Sequence, residues 1–207
     1  MLKCSIQQKR ANNMFESALT LNNVSYNKRI TYKTLVSIGL IVVAVILPQL
    51  FHITLGQSGG VKWLPMYLPV LIGGCLLGVR WGLVVGMLSP LVSFIITTAL
   101  GNPMPIAPRL PFMMIELAIF ASVSGLFSNK IVDNSFWAFP SVILAQLCGR
   151  AAFLGTIAAT QNFTPFTTGM IWGQIKTGFI GLVVQAIVVP VIIIVLRKIL
   201  IKDKKND

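Results

Sequence analysis

Glu116 and Arg150 stand inside apolar stretches that are otherwise almost free of charge, and they are the residues from which chemistry could be built. An ionisable side chain in such a setting is costly to desolvate, so it pairs with an opposite charge or faces a cavity. Two outcomes are open for the pair: a structural ion pair tying two segments together, or one member that also touches a ligand. Lys176 sits a turn or two into the last apolar run, where its long stem can carry the ammonium out to an interface or bring it to a ligand. Gln49, His52, Asn102, Arg109, Gln146, Trp172 and Gln174 complete the candidates. All of them map toward the same ends of their apolar runs, or to the loops that join those ends. Polar residues placed only for packing would have no reason to share a depth. Together they can line a small aqueous pocket, with Trp172 and Trp63 offering ring faces to a flat solute. The chemistry expected is recognition, not bond-making. There is no HExxH, CxxC, GxSxG or P-loop, the only histidine is His52, and Glu116 has no second carboxylate near it in sequence. No catalytic residue, metal-ligand set or cofactor is therefore expected, and nothing binds a nucleotide. Cys4, Cys75 and Cys148 are too widely spaced to suggest metal or disulfide and read as small apolar fillers.

The elements that would position these residues are membrane-spanning helices. Of 207 residues 55% are apolar and 11% charged, and the mean hydropathy is +0.82. From Leu64 to Phe127 only Arg80, Arg109 and Glu116 carry charge, and most windows are apolar on every side. A helix that is apolar all round belongs in lipid or deep in a large core. The net charge of +12 does not point to nucleic acid, because the basic residues crowd the two termini with no interleaved aromatics.

Six spans are expected, at about 34–55, 65–79, 82–100, 109–127, 136–160 and 169–200. A hydrocarbon core of ~30 Å needs about 20 helical residues, which most of these supply. Pro48 should kink the first span. Gly56-Gln-Ser-Gly-Gly60 reads as a flexible, lid-like loop, Gly78-Val-Arg80-Trp81 as a tight turn, and the proline-rich stretch 101–108 as a stiff wall. Ser128–Ser135 and Gln161–Thr168 read as polar loops. Residues 1–33 form a basic tail, partly helical near Met14–Leu21; residues 34–200 form the membrane domain, and 201–207 a second basic tail.

An even number of spans puts both termini on one side. That side collects six basic residues from 1–33, Arg80, Lys130 and five from Arg197 onward, thirteen of the seventeen; the other side holds Lys62 and Arg109. By the positive-inside bias both termini are cytoplasmic, and the expected fold is an all-α integral membrane protein, a compact six-helix bundle with its polar cluster toward the outer face.

Several stretches then resemble one family. Leu47-Pro-Gln-Leu-Phe-His52, Leu64-Pro-Met-Tyr-Leu-Pro-Val70, Gly82-Leu-Val-Val-Gly86, Ser89-Pro-Leu-Val-Ser93, Met113-Met-Ile-Glu-Leu117, Gly149-Arg150 and the Gln185/Pro190 pair resemble, in order and spacing, the substrate-binding S components of energy-coupling factor (ECF) transporters. The resemblance covers roughly 34–200. It implies a vitamin or related micronutrient captured near the outer face of a prokaryotic plasma membrane. It also implies docking on a transmembrane coupling subunit driven by two cytoplasmic ATPase subunits. A carboxylate on such a solute would pair with Lys176, Arg109 or Arg150. Two departures stand out: Tyr67 occupies a position where many relatives have His, and the first span has Ser37, Gly39 and Ala44 in place of an AxxxA surface. A self-contained channel or carrier, and a membrane scaffold recruiting partners through its basic tails, are the readings from other classes.

Overall fold

The computed structural model describes residues 14–21, 25–101 and 103–202, and among these the chain is helical with short connections and no strand. The helices are α1 (Met14–Leu21), α2 (Tyr26–Trp63), α3 (Tyr67–Ala99), α4 (Leu110–Leu126), α5 (Ser128–Asp133), α6 (Ala138–Thr160) and α7 (Thr168–Lys202). Single 3-10 turns precede α4 and α6, at Ala107–Arg109 and Ser135–Trp137. Among the described residues five stretches are long and apolar enough to cross a bilayer: Asn27–Gly56, Tyr67–Ala99, Ala107–Leu126, Ser135–Thr160 and Thr168–Leu200.

The count is five rather than six because the expected second and third spans form one element with a reversal inside it. Gly78 has φ +78° and ψ −177°, a conformation that residues with a Cβ rarely adopt. A Cβ on Gly82 would fall 2.9 Å from the Cα of Gly74, so the arms 67–77 and 79–99 lie back to back. In a straight helix those two residues would be about 12 Å apart. The 79–99 arm is about 31 Å long, enough for a bilayer core; the 67–77 arm is only about 16 Å.

The missing length lies in the residues before it. Expected as a loop, 57–63 continues as helix after a break at Gly56 (φ +69°) and turns inward. Gln185 Nε2 donates to the Trp63 and Leu64 carbonyls, at 3.0 and 2.9 Å. Since Gln185 lies about halfway along α7, the connection enters the bundle instead of lying over it. The polar loop expected at Ser128–Ser135 is also mostly helical: α5 is pinned when Ser128 Oγ donates to the Cys75 carbonyl at 2.8 Å.

The long helices close a ring in which α2 packs on α3, α3 on α4, α4 on α6, α6 on α7, and α7 on α2. The main core combines Val70, Leu71, Leu77, Leu117, Phe120 and Val142 with small buried hydroxyls such as Ser89, Ser124 and Ser141. The outward faces are as apolar as the core, with Ile38, Ile46 and Ile53 on α2 and Phe179, Ile180 and Ile187 on α7 exposed. Lipid removes any hydrophobic drive between helices, so close packing and short hydroxyl bonds hold them together.

One end of the bundle gathers α1, α5 and the end of α7. Met14 is fully buried there, Lys33 Nζ lies 3.1 Å from Glu16 Oε2, and Arg197 donates to the carbonyls of Val132 and Asp133 and to Ser135 Oγ. The basic segment 1–33 thus contains a helix packed on the bundle, and α2 begins within it, eight residues before the expected span. The opposite end holds His52, Arg109 and Gln174.

Candidate functional site

A cavity of about 370 Å³ opens at this opposite end. Its walls follow from the chain breaks. The irregular stretch Leu64-Pro65-Met66 forms one part, with Leu64 itself at φ +48°. A second part is the proline-rich segment 103–106, fastened to α3 because Ser93 Oγ donates to the Met104 carbonyl at 3.0 Å and Met104 N donates to Thr97 Oγ1 at 2.8 Å. Pro48 and His52 line it from α2, Met113 from α4, Arg150 from α6 and Gln174 from α7. A second apolar cluster of Phe112, Phe153, Ile157, Phe166 and Ile171 closes the helix ends beside it.

The polar groups of this cavity form two linked sets. Arg150 Nη1 lies 2.9 Å from Glu116 Oε1, while Tyr67 Oη donates to Glu116 Oε2 at 2.9 Å. Glu116 is fully buried and Arg150 nearly so. The Arg150 guanidinium also stands 5.0 Å from the centre of the Tyr67 ring, and that ring meets Phe120 edge-on at 5.1 Å. In the second set Arg109 Nη2 donates to Gln174 Oε1 at 2.7 Å, with its guanidinium 5.9 Å from the Phe153 ring centre. Arg150 Nε and Nη2, Arg109 Nε and His52 Nδ1 are buried with no hydrogen-bond partner among the described residues. Buried polar atoms of this kind are normally satisfied, and four of them belong to residues that line this cavity.

The structure therefore brings His52, Arg109, Arg150 and Gln174 to one cavity and sets Glu116 directly behind Arg150. The other sequence candidates lie elsewhere. Gln49 is half-buried outside the lining, and its Nε2 has no partner among the described residues. Gln146 Nε2 donates to the Leu182 carbonyl at 3.1 Å, joining α6 to α7. Trp172 is 52% exposed and Lys176 stands over its ring at 5.9 Å, both facing outward from the start of α7. Trp63 is partly exposed and packs beside Phe51. Asn102 lies outside the described residues. Tyr67 and Ser93 are polar lining residues that sequence reasoning passed over, Tyr67 noted only as a departure from a family pattern and Ser93 only within one of its motifs. The signal of Tyr67 was a lone phenol next to two prolines within an apolar run. Among the described residues no group of three or more His, Cys, Asp or Glu is placed to hold a metal ion.

Apolar-faced helices in a ring, five of them long enough to cross a bilayer among the described residues, mark a multi-pass membrane protein with a polar-lined cavity at one end. The family model for the substrate-specific component of ECF transporters matches residues 33–193, and the chain belongs to that family. Comparison with curated proteins and with solved structures gives no significant match. Membership makes the protein a substrate-specific subunit of a membrane transporter, a class that recognises cargo rather than transforming it.

Proposed function

We propose that the protein captures a vitamin or related micronutrient at the outer face of a prokaryotic plasma membrane and hands it to partner subunits for ATP-driven uptake. The partners are a transmembrane coupling subunit and two cytoplasmic ATPases. In this reading the chain crosses the membrane six times, with the arms of α3 counted separately and both termini cytoplasmic. Residues 34–200 form the membrane domain, flanked by basic segments at 1–33 and 201–207.

The observation that carries the reading is the cavity of about 370 Å³ that opens at one end of the bundle, with buried polar atoms of His52, Arg109 and Arg150 left without a partner among the described residues. That volume lies at the small end of the range for small-molecule sites and holds about a dozen waters' worth of solute at ~30 Å³ each. The grouping of basic residues at the end bearing α1, α5 and the α7 terminus supports the orientation, because that end would then face the cytoplasm.

Reconstitution tests the proposal. Vesicles holding this chain alone should bind a vitamin without accumulating it, and uptake should need the coupling subunit, the ATPases and ATP. Robust concentrative or downhill uptake by the chain alone would replace this reading with a self-contained carrier or channel.

A further inference from the structure

The cavity lining contains two guanidinium groups, and one carboxylate, that of Glu116, stands behind them. Glu116 balances Arg150, whereas the hydrogen-bond partner of Arg109 is the neutral amide of Gln174. The site as built therefore carries one uncompensated positive charge. An arginine holds its charge at any accessible pH, so the imbalance is not removed by deprotonation. Arg109 is half-buried in the lining and has no acidic partner among the described residues, so an anionic solute would supply the counter-charge it lacks.

The hydrogen bonding of the two arginines points the same way. Arg150 is 7% exposed and lines the cavity, yet its Nε and Nη2 have no partner among the described residues; Arg109 Nε is in the same condition. Each guanidinium is already near one aromatic ring, Tyr67 for Arg150 and Phe153 for Arg109. What lacks a partner is the Nε and Nη2 edge of Arg150, and on Arg109 the Nε beside the Nη2 that Gln174 holds. Planar N–H edges match the paired oxygens of a carboxylate, and such charge-assisted bonds are stronger than neutral ones.

Resting on the proposed binding function, we infer that the solute is a small monoanion of the carboxylate class, seated on Arg109 and Arg150. The rest of the lining, with Met66, Met104, Met113 and Pro48, is apolar and adaptable, and it receives the uncharged body of the solute. Lys176, on the outward side of α7, takes no part in anion recognition.

The test uses the full chain purified in detergent and an equimolar mixture of water-soluble vitamins, with nicotinate against nicotinamide and pantothenate against pantothenol as matched acid and neutral pairs. Native mass spectrometry identifies what is retained, from the cells or from the mixture, and calorimetry measures its affinity. A retained carboxylate whose affinity falls roughly 10- to 100-fold in Arg109→Gln is the expected result. The Glu116→Gln/Arg150→Gln double variant, which removes both partners of the pair, should show a loss of similar size, so the outcome does not depend on Arg150 being replaced alone. A retained solute with no anionic group, or undiminished acid binding by Arg109→Gln, overturns the inference and leaves the binding function standing. Preference for a phosphate ester overturns the single-charge account. Retention of no solute at all refutes the binding function itself.

Discussion

Removing either member of the Glu116–Arg150 pair tests what holds α4 to α6 beneath the cavity. The charges approach to 2.9 Å in a place where Glu116 is fully buried and the Arg150 side chain is 8% exposed. With charge centres about 4 Å apart and an effective dielectric near 20, their attraction is about 4 kcal/mol. Tyr67 adds a hydrogen bond to a charged acceptor, worth about 1.5–3 kcal/mol. Glu116→Ala forfeits both and leaves a buried guanidinium uncompensated, so it should destabilise the protein by about 3–5 kcal/mol. Arg150→Ala should cost about as much, because Glu116 keeps only the Tyr67 bond. The double variant removes both charges together, and its loss should fall short of the sum by about 3 kcal/mol, the coupling expected of a close buried pair. Unfolding in mixed micelles, followed by circular dichroism, measures all four corners of the cycle. Additive losses would refute the reasoning, since they would mean that the two charges do not stabilise each other.

Three further outcomes are expected. Gly82→Leu should lower the melting temperature sharply, at a cost of about 1–3 kcal/mol or more, because its Cβ would meet the Gly74 Cα at 2.9 Å; a melt equal to wild type would show that the two arms of α3 are not in contact. Gln185→Leu should cost about 1–3 kcal/mol and speed amide exchange at 63–67, where its donations to the Trp63 and Leu64 carbonyls are lost. Lys176→Gln should leave solute affinity within experimental error by calorimetry, whereas Gln174→Ala, which removes the acceptor of the Arg109 bond, should weaken it by about 1–2 kcal/mol.

How much of this was legible in the sequence depended on the length scale of the signal. Spans announced themselves because fifteen to thirty apolar residues in a row leave few alternatives, and the turn at Gly78-Val-Arg80-Trp81 falls where the chain reverses. Boundaries were less legible. Tyr26–Lys33 is polar enough to resemble a tail, yet it continues α2, because Lys33 meets Glu16 of α1 and its helical carbonyls need no outside partner. Depth along a span could be counted, but azimuth could not. Lys176 and Gln174 are two residues apart and share a depth, yet two residues of helix turn the side chain by about 200°, so one lines the cavity and the other faces outward. The same limit hid Gln146, whose polar side chain joins α6 to α7 in place of serving a pocket. Tyr67 needed the third dimension, since its role arises only when Glu116, 49 residues later, arrives 2.9 Å away.

The Gly-rich stretch 56–60 misled for a reason that also accounts for the cavity. Composition of that kind suggests a solvated loop, but backbone inside a membrane protein must satisfy its own polar groups or line a cavity. Here both happen. The chain breaks at Gly56, re-forms a helical turn, and breaks again at Leu64–Met66, halfway down α7. Gln185 satisfies the carbonyls exposed by the second break, and Tyr67 N closes a turn onto the Leu64 carbonyl at 3.1 Å. Because the connection dips inward, the arm that follows needs only eleven residues to reach Gly78, and the space above it stays open. That space is the cavity, with the broken stretch as part of its lining. The same cavity is lined by Arg109 and Arg150, two guanidinium groups that would be costly to hold against apolar side chains alone. The interrupted helix and the charged residues thus meet at one place: the irregular stretch Leu64–Met66 forms one wall of the cavity that Arg109 and Arg150 line.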